Sequence, residues 1–244
     1  MKANPADQAR LLDLQELDNH LAQVTKKSKN LPEAATLEEL STELAVAKES
    51  QREKLGIVDE FAAEVKRSES DVEMVQARIA KDTERLDHTS SAKDAQGLEH
   101  EIQSLRERLS YLEEVELEEM ERLEQAEAEL SGADQAVTEL MSRVDEATQA
   151  LDAAKAELEA DYQATAAKRQ ALCAELPADL LELYERQRER YGFGASLLQR
   201  GTSSASGVAL TESDLAQVRA AAPDDVVLCP DSNAILVRTS ESGI

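Results

Sequence analysis

Tryptophan is missing from this chain, and phenylalanine and tyrosine together make up only 2% of it. Aromatic side chains supply much of the core and pocket surface of globular enzymes of this size, so an ordinary enzyme core is not expected. Glycine (8) and proline (5) are scarce and concentrated near segment ends, which leaves long stretches with little to interrupt a helix. The two cysteines, Cys173 and Cys229, are too few for a disulfide framework and fit a reducing compartment. Basic charge is also in short supply. Against 51 acidic residues stand 27 Lys and Arg, a net charge of −24, and the resulting field repels nucleic-acid phosphates and anionic lipid. No apolar run approaches the roughly 20 residues that span a bilayer. The opening "MKANPADQARLLDLQ" has no apolar core of a signal peptide. These features predict a cytoplasmic protein that does not engage membranes.

What the chain has is a helical seam. Asn4 and Pro5 are placed as cap and first-turn residue of a helix over about 5–26, with Leu14, Leu17, Leu21 and Val24 on one stripe. Pro32 separates it from a second helix, about 33–87, whose apolar positions include Leu37, Leu40, Leu44, Leu55, Val58, Ala62, Val65, Val72, Val75, Ile79 and Leu86. Polar residues interrupt that seam around Gln51 and Glu69. Thr89, Ser90 and Ser91 break the pattern, so 87–91 is a tight tip, with Ser91 and Asp94 opening a third helix over 92–175. From Leu123 to Leu158 its apolar residues alternate spacings of three and four without error, while Glu116 and Glu119 fall on the seam just before. The second helix is shorter than the third by about the first helix and its loop. The first two helices can therefore fill the seam of the third within one chain, a hairpin over 1–176, with a homodimeric coiled coil as the competing arrangement.

Beyond "CAELP" a connecting region, 177–196, carries a helix at about 178–191, and "GFGASLLQRGTSSASG" marks a shift of composition. The last part, 197–244, reads as a small α+β module: strands in "SGVAL", "VVLC" and "NAILVRT", and a short helix in "TESDLAQVRAA" capped by Thr211. The expected fold is mainly α, a long antiparallel coiled-coil hairpin with a small α+β domain at its C-terminal end.

The stretches "ADQARLLDLQELD", "SSAKDAQGLEHEIQSL", "LPADLLELYERQRER" and "LTESDLAQVRAAAPDDVVLCPDSNAILVRTSESG" together resemble the C4-type zinc-ribbon proteins with an N-terminal coiled-coil hairpin, in their actinobacterial form. The resemblance covers essentially the whole chain. It implies a ribbon-like C-terminal domain with a zinc between two CxxC knuckles, at positions held here by Ser203, Ser206, Cys229 and Ser232. Three of the four are serines, and a hydroxyl does not replace a thiolate on Zn²⁺, so zinc is predicted to be lost and no cofactor is expected. Cys229 is then a small buried hydrophobe. The missing stability is expected from Val208, Leu210, Leu215, Val218, Val226, Val227, Leu228, Ile235 and Leu236 packed together and against the 178–191 helix with Phe193 and Leu197. Relatives are known as partners or chaperones of a sigma factor, and one kind binds a transcript, which implies RNA binding as the alternative function.

No motif for chemistry emerges. His20, His88 and His100 have no partner at catalytic or metal spacing, "LEHEI" lacks the second histidine of HExxH, and "GFGAS" lacks the lysine of a phosphate loop. The expectation is a non-enzymatic adaptor or chaperone-like scaffold, monomer or homodimer, that binds a protein partner. His88, Ser91, Lys93, Gln96 and His100 are the candidate contacts at the hairpin tip. RNA is disfavoured: the C-terminal module has Arg200, Arg219 and Arg238 against twice as many acids, and "TKKSKN" (25–30) is the only basic cluster.

Overall fold

The computed structural model describes residues 1–243. Five helices and three short strands follow in the order α1 (Pro5–Ser28), α2 (Pro32–His88), α3 (Ala92–Glu175), α4 (Ala178–Tyr191), β1 (Ala195–Gln199), β2 (Thr202–Ser203), α5 (Glu212–Ala220) and β3 (Ile235–Val237). They form two compact units: Glu33–Gln149, and Met1–Pro32 together with the chain from Ala150 onward. The second grouping crosses the boundaries expected at 176 and 196, because α1 and the last part of α3 belong with α4 and the sheet.

The first unit is an antiparallel helical hairpin. Across it Glu43 meets Arg143, Gln51 meets Asp134, Lys54 meets Glu129 and Ser68 meets Glu119, so one index falls as the other rises. The seam of α2 runs through the buried and half-buried positions 37, 40, 44, 47, 51, 54, 58, 61, 65, 68, 72, 75, 79, 82 and 86, alternating three and four, with Glu33, Ser50, Glu64 and Thr83 half-buried beside it. The seam is thus continuous where the sequence pattern predicted breaks. It passes through Gln51, Lys54, Ser68 and Asp82, and Glu69 lies outside it. Leu55 and Ala62, expected on the seam, are displaced by Lys54 and Phe61, and Leu55 is 48% exposed. The polar residues are tolerated because their apolar stems fill the layer and their heads find Asp134 and Glu129 across it. Glu116 and Glu119 of α3 do lie on the seam, half-buried.

The tip turns at residues 89–91. Ser91 Oγ accepts the Asp94 N–H at 3.4 Å, and its carbonyl accepts the Ala95 N–H, so the expected cap opens α3.

In the second unit α1 runs antiparallel to the end of α3, pairing Arg10 with Glu175, Asp18 with Arg169 and His20 with Asp161. The sheet has the order β2-β1-β3, β1 being parallel to β3 and antiparallel to β2. It is buried on both faces, which explains the uninterrupted apolar run "AILV". Ile235, Val237 and Ala195 pack on Leu11 and Leu14 of α1 and on Leu176, Leu180 and Tyr184. Leu236 and Leu198 pack on the other side against Leu210, Cys229 and Leu215 and Val218 of α5. The expected strands in "SGVAL" and "VVLC" shrink to single bridges, Thr202 with Ala209 and Leu228 with Ile235, while β1 lies where only a composition shift was read. Of the expected core, Val208, Leu228 and Phe193 are exposed, and Leu198 is buried in place of Leu197. The N-terminus closes the module: Ala3 N–H donates to Asp224 and Val226 N–H to Met1.

Candidate functional site

Two regions bear on function: the pair of turns that hold Ser203 and Cys229, and the surface of the hairpin unit.

The turns are copies of one another. In the first, Ser203 N–H donates to Val208 O (3.2 Å) and Gly207 N–H to Ser203 O (2.9 Å). In the second, Cys229 N–H donates to Ala234 O (2.9 Å) and Asn233 N–H to Cys229 O (2.9 Å). The fourth residue's hydroxyl caps each turn: Ser206 Oγ accepts Val208 N–H, and Ser232 Oγ accepts Ala234 N–H. The fifth residue is left-handed in both, Gly207 at φ 67° and Asn233 at φ 55°, and glycine and asparagine are the residues that adopt this region most readily. Asp231, Ser232 and Asn233 therefore are turn residues, as their types predict.

Ser203 and Cys229 are both fully buried, while Ser206 and Ser232 are half-exposed. The Ser203 hydroxyl lies 2.7 Å from the Ser196 hydroxyl, which also accepts Ala205 N–H. Burial works against a Cys229 thiolate. Hydrogen bonds from Ser232, from Ser203 and from the Asp231 backbone outweigh it and bring the thiol below its ordinary value. Ser203 and Ser232 thus stand by the Cys229 thiol, and Ser206 lies on the turn that begins at Ser203. This donor set does not fit a zinc ion. Structural zinc sites are closed by thiolate and imidazole, and three neutral hydroxyls are poor substitutes. Among the described residues, no three His, Cys, Asp or Glu side chains converge as a metal-ligating group.

Nor is this module a free basic surface. The Arg238 guanidinium donates to the carbonyls of Val218, Ala221, Ala222, Pro223 and Asp225 and thereby closes the end of α5. A sequence count of arginines misses this, since the contacts are made by the end of α5 and the loop after it, 13–20 residues away.

The junction of α1, α3 and α4 holds a network that the sequence reading did not find. Arg169 donates to Asp18 (2.6 Å) and to Glu185, and Tyr184 OH donates to Asp18 (2.7 Å). Gln15 Oε1 accepts the N–H groups of Gly194 (2.7 Å) and Ala195 (3.2 Å). Burial, and then the Asp18 carboxylate, raise the Tyr184 phenol well above its ordinary value, which keeps it a donor. His20, expected to stand alone, meets both Asp161 oxygens at 2.9 Å beside an open polar groove of about 710 Å³. Its hydrogen bond lowers the Asp161 carboxyl. Apart from Arg169 and Glu185, 16 residues apart, these partners lie 141–180 residues apart, beyond any local spacing rule.

On the hairpin, residues 33–149 carry 32 acidic and 13 basic side chains. Within that unit the segments 33–64 and 111–149 hold 22 acidic against 5 basic, and 65–110 holds 10 against 8; 33–64 lies opposite the stretch from Arg122 onward, and Glu119 lies opposite Ser68. The two acidic segments also expose Val46, Leu55, Ile57, Leu117, Met120 and Met141. Ile57, Phe61 and Ala126 line a shallow groove of about 290 Å³ rimmed by Lys54, Arg122 and Glu129. At the tip His88, Lys93, Gln96 and His100 are exposed and Ser91 is half-buried in its capping role.

With this geometry in hand, comparison with known proteins is decisive for the family. The family described as the CT398-like coiled coil hairpin domain matches residues 14–192. The chain belongs to that family. Two proteins of Mycobacterium tuberculosis, named as uncharacterized proteins MT2288 and Rv2229c, are each 35% identical over 241 residues, 98% of both chains. A solved structure from Mycobacterium smegmatis has a TM-score of 0.80 at 36% identity, covering 98% of this chain and 100% of that one. CT398 from Chlamydia trachomatis shares the fold, with a TM-score of 0.57 at 16% identity over 95% of this chain and 97% of that one. The coiled-coil hairpin of this family is thus established for the chain. No helix is long and apolar enough to cross a membrane among the described residues.

Proposed function

We propose that this protein is a non-catalytic cytoplasmic scaffold that binds a protein partner along its coiled-coil hairpin, with a metal-free C-terminal module. The observation that carries this reading is the coincidence of two properties on the same two segments of the hairpin unit. Residues 33–64 and 111–149 concentrate the acid charge, and the same segments expose Leu55, Ile57, Leu117 and Met120. A seam already filled within the chain does not need these side chains. An exposed apolar residue within an acidic field suits a partner whose own apolar anchors are flanked by Lys or Arg. The tip residues His88, Lys93, Gln96 and His100 form a second contact region, nearly neutral in charge.

RNA binding is the alternative. Against it stand the acidic field and the engagement of Arg238 with five carbonyls. The test uses the full chain against its purified partner and against RNA. A protein complex that weakens as salt rises, and weakens further with Glu113→Gln, Glu114→Gln, Glu118→Gln and Glu121→Gln combined, supports the reading. Salt-sensitive RNA binding with no protein complex refutes it.

A further inference from the structure

The two flanks of the hairpin seam differ in kind. On α2, residues 43, 50, 57 and 64 precede seam positions, and 48, 55, 62 and 69 follow them. On α3, residues 122, 129, 136 and 143 precede seam positions, and 113, 120, 127, 134 and 141 follow them. Like sets meet across an antiparallel seam, as the ion pairs Glu43–Arg143 and Glu64–Arg122 show directly. The preceding set is therefore one flank, and it is closed. Those two pairs and Lys54–Glu129 cross it, and the Arg122 guanidinium lies over the Phe61 ring at 5.9 Å, beside Ile57. The following set is the other flank, and it is open. Leu55, Met120 and Met141 are each about half-exposed, Ala62 is exposed between them, and Leu117 is exposed one turn before Met120. Glu113, Glu127 and Asp134 line the α3 edge of this flank, while the α2 edge mixes Lys48 and Lys66 with Glu69.

We propose that the open flank seats an amphipathic helix of the partner protein as a third strand of the coiled coil. Its apolar stripe lies on Leu55, Ala62, Leu117 and Met120, and its Lys or Arg side chains run along the edge that meets Glu113, Glu127 and Asp134. This rests on the scaffold reading above and names the surface and the class of partner. Exposed Leu and Met beside a filled seam are what a third helix covers, and opposite charges at the flank fix which way it faces. Met120 and Met141 lie three heptads apart, about 31 Å of helix, so the seat suits a helix of about 20 residues. A second copy of this chain is a poor occupant. Its own segments 33–64 and 111–149 hold 22 acidic against 5 basic side chains, which sets like charge against like.

The test uses the full-length chain and a synthetic helical peptide of about 20 residues, with Leu on one stripe and Lys along one edge. A peptide of the same composition with the stripe scrambled is the control, and binding is read by fluorescence anisotropy. The striped peptide is expected to bind the wild type about tenfold tighter than the scrambled one, or better. Leu55→Ser with Met120→Ser, at exposed positions, should remove that advantage with the circular dichroism unchanged. Ile57→Ser, on the closed flank, should leave it. Glu113→Gln with Glu127→Gln should weaken the striped peptide and flatten its salt dependence. Equal binding of the two peptides overturns the seat, as does an advantage that survives Leu55→Ser with Met120→Ser or is lost with Ile57→Ser. If the serine pair unfolds the hairpin, the glutamine pair decides, and an unchanged salt dependence overturns the proposal. A wild-type dimer that Leu55→Ser with Met120→Ser separates also overturns it, because a second copy is then the occupant. Each of these failures leaves the scaffold reading standing; that reading fails separately, when the chain binds RNA and forms no protein complex.

Discussion

Single residues set the tolerances of this molecule. Gly194 shows this plainly: a Cβ there would sit 2.4 Å from the Tyr184 ring, which is itself fully buried between α1 and the sheet. Gly194→Ala must push the ring or the strand aside, at a cost of about 1–3 kcal/mol. Thermal unfolding should register a drop of about 2–4 °C for each kcal/mol. An unchanged melt would mean that the ring moves freely and that the Tyr184–Asp18 bond does not fix it. Asp82 is the second case. It is fully buried on the hairpin seam and takes hydrogen bonds from Arg78 (2.6 Å) and Arg85 (3.0 Å). Burial alone would raise its carboxyl, but the two arginines outweigh it and hold the group below the ordinary value. A carboxyl depressed in the folded state stabilises it above the unfolded pKa, about 3.9, and that contribution disappears as pH falls through the folded value. The wild type should therefore melt above Asp82→Asn at neutral pH, and the gap should close below about pH 4. A gap independent of pH would show that the charge is not what Asp82 contributes.

At the scale of elements, the helices were legible and the fine register was not. The ends of α3 and α4 follow directly from Ser91, from Pro177 and from Gly192, whose left-handed conformation ends α4. Apolar spacing traced the seam between Ala47 and Val65 through Leu55 and Ala62, whereas in the structure it runs through Lys54 and Phe61. The second wins because it keeps the three-four alternation unbroken from Leu37 to Leu86, and because Lys54 and Gln51 are satisfied by acids on the opposing helix. No local count reveals those acids, which lie 75 and 83 residues away. The register makes a sharp contrast: Leu40→Ala, on the seam, should cost about 2–3 kcal/mol, and Leu55→Ala under about 0.5 kcal/mol, measured by denaturant unfolding. Equal losses would restore the alternative track. The C-terminal module was legible in its turns and its helix, because Thr211, Gly207 and Asn233 carry local chemistry. Its central strand β1 was not, since "ASLLQ" is defined by pairing with Ile235–Val237, some forty residues on. The paired turns could be placed only through the resemblance to zinc-ribbon proteins, and the Asp18–Arg169–Tyr184 network has no sequence signal at all.

For the whole molecule, charge and self-sufficiency are the governing facts. The seam of the hairpin is filled by the chain's own helices, so the protein is expected to sediment as a monomer; a concentration-independent dimer would mean that the exposed Leu55, Leu117 and Met120 are covered by a second copy. The remaining question is what meets the acidic segments of the hairpin. The most direct measurement places a photo-reactive side chain at Leu117, at Lys93 or at Arg200 of the full chain in its native cell and identifies what each position captures. The account predicts a discrete adduct at Leu117 with a protein whose contacting surface is basic, reduced when Glu113, Glu114, Glu118 and Glu121 are changed to Gln, and a weaker one at Lys93. Capture at Arg200 alone, or adducts with RNA instead of protein, would contradict it.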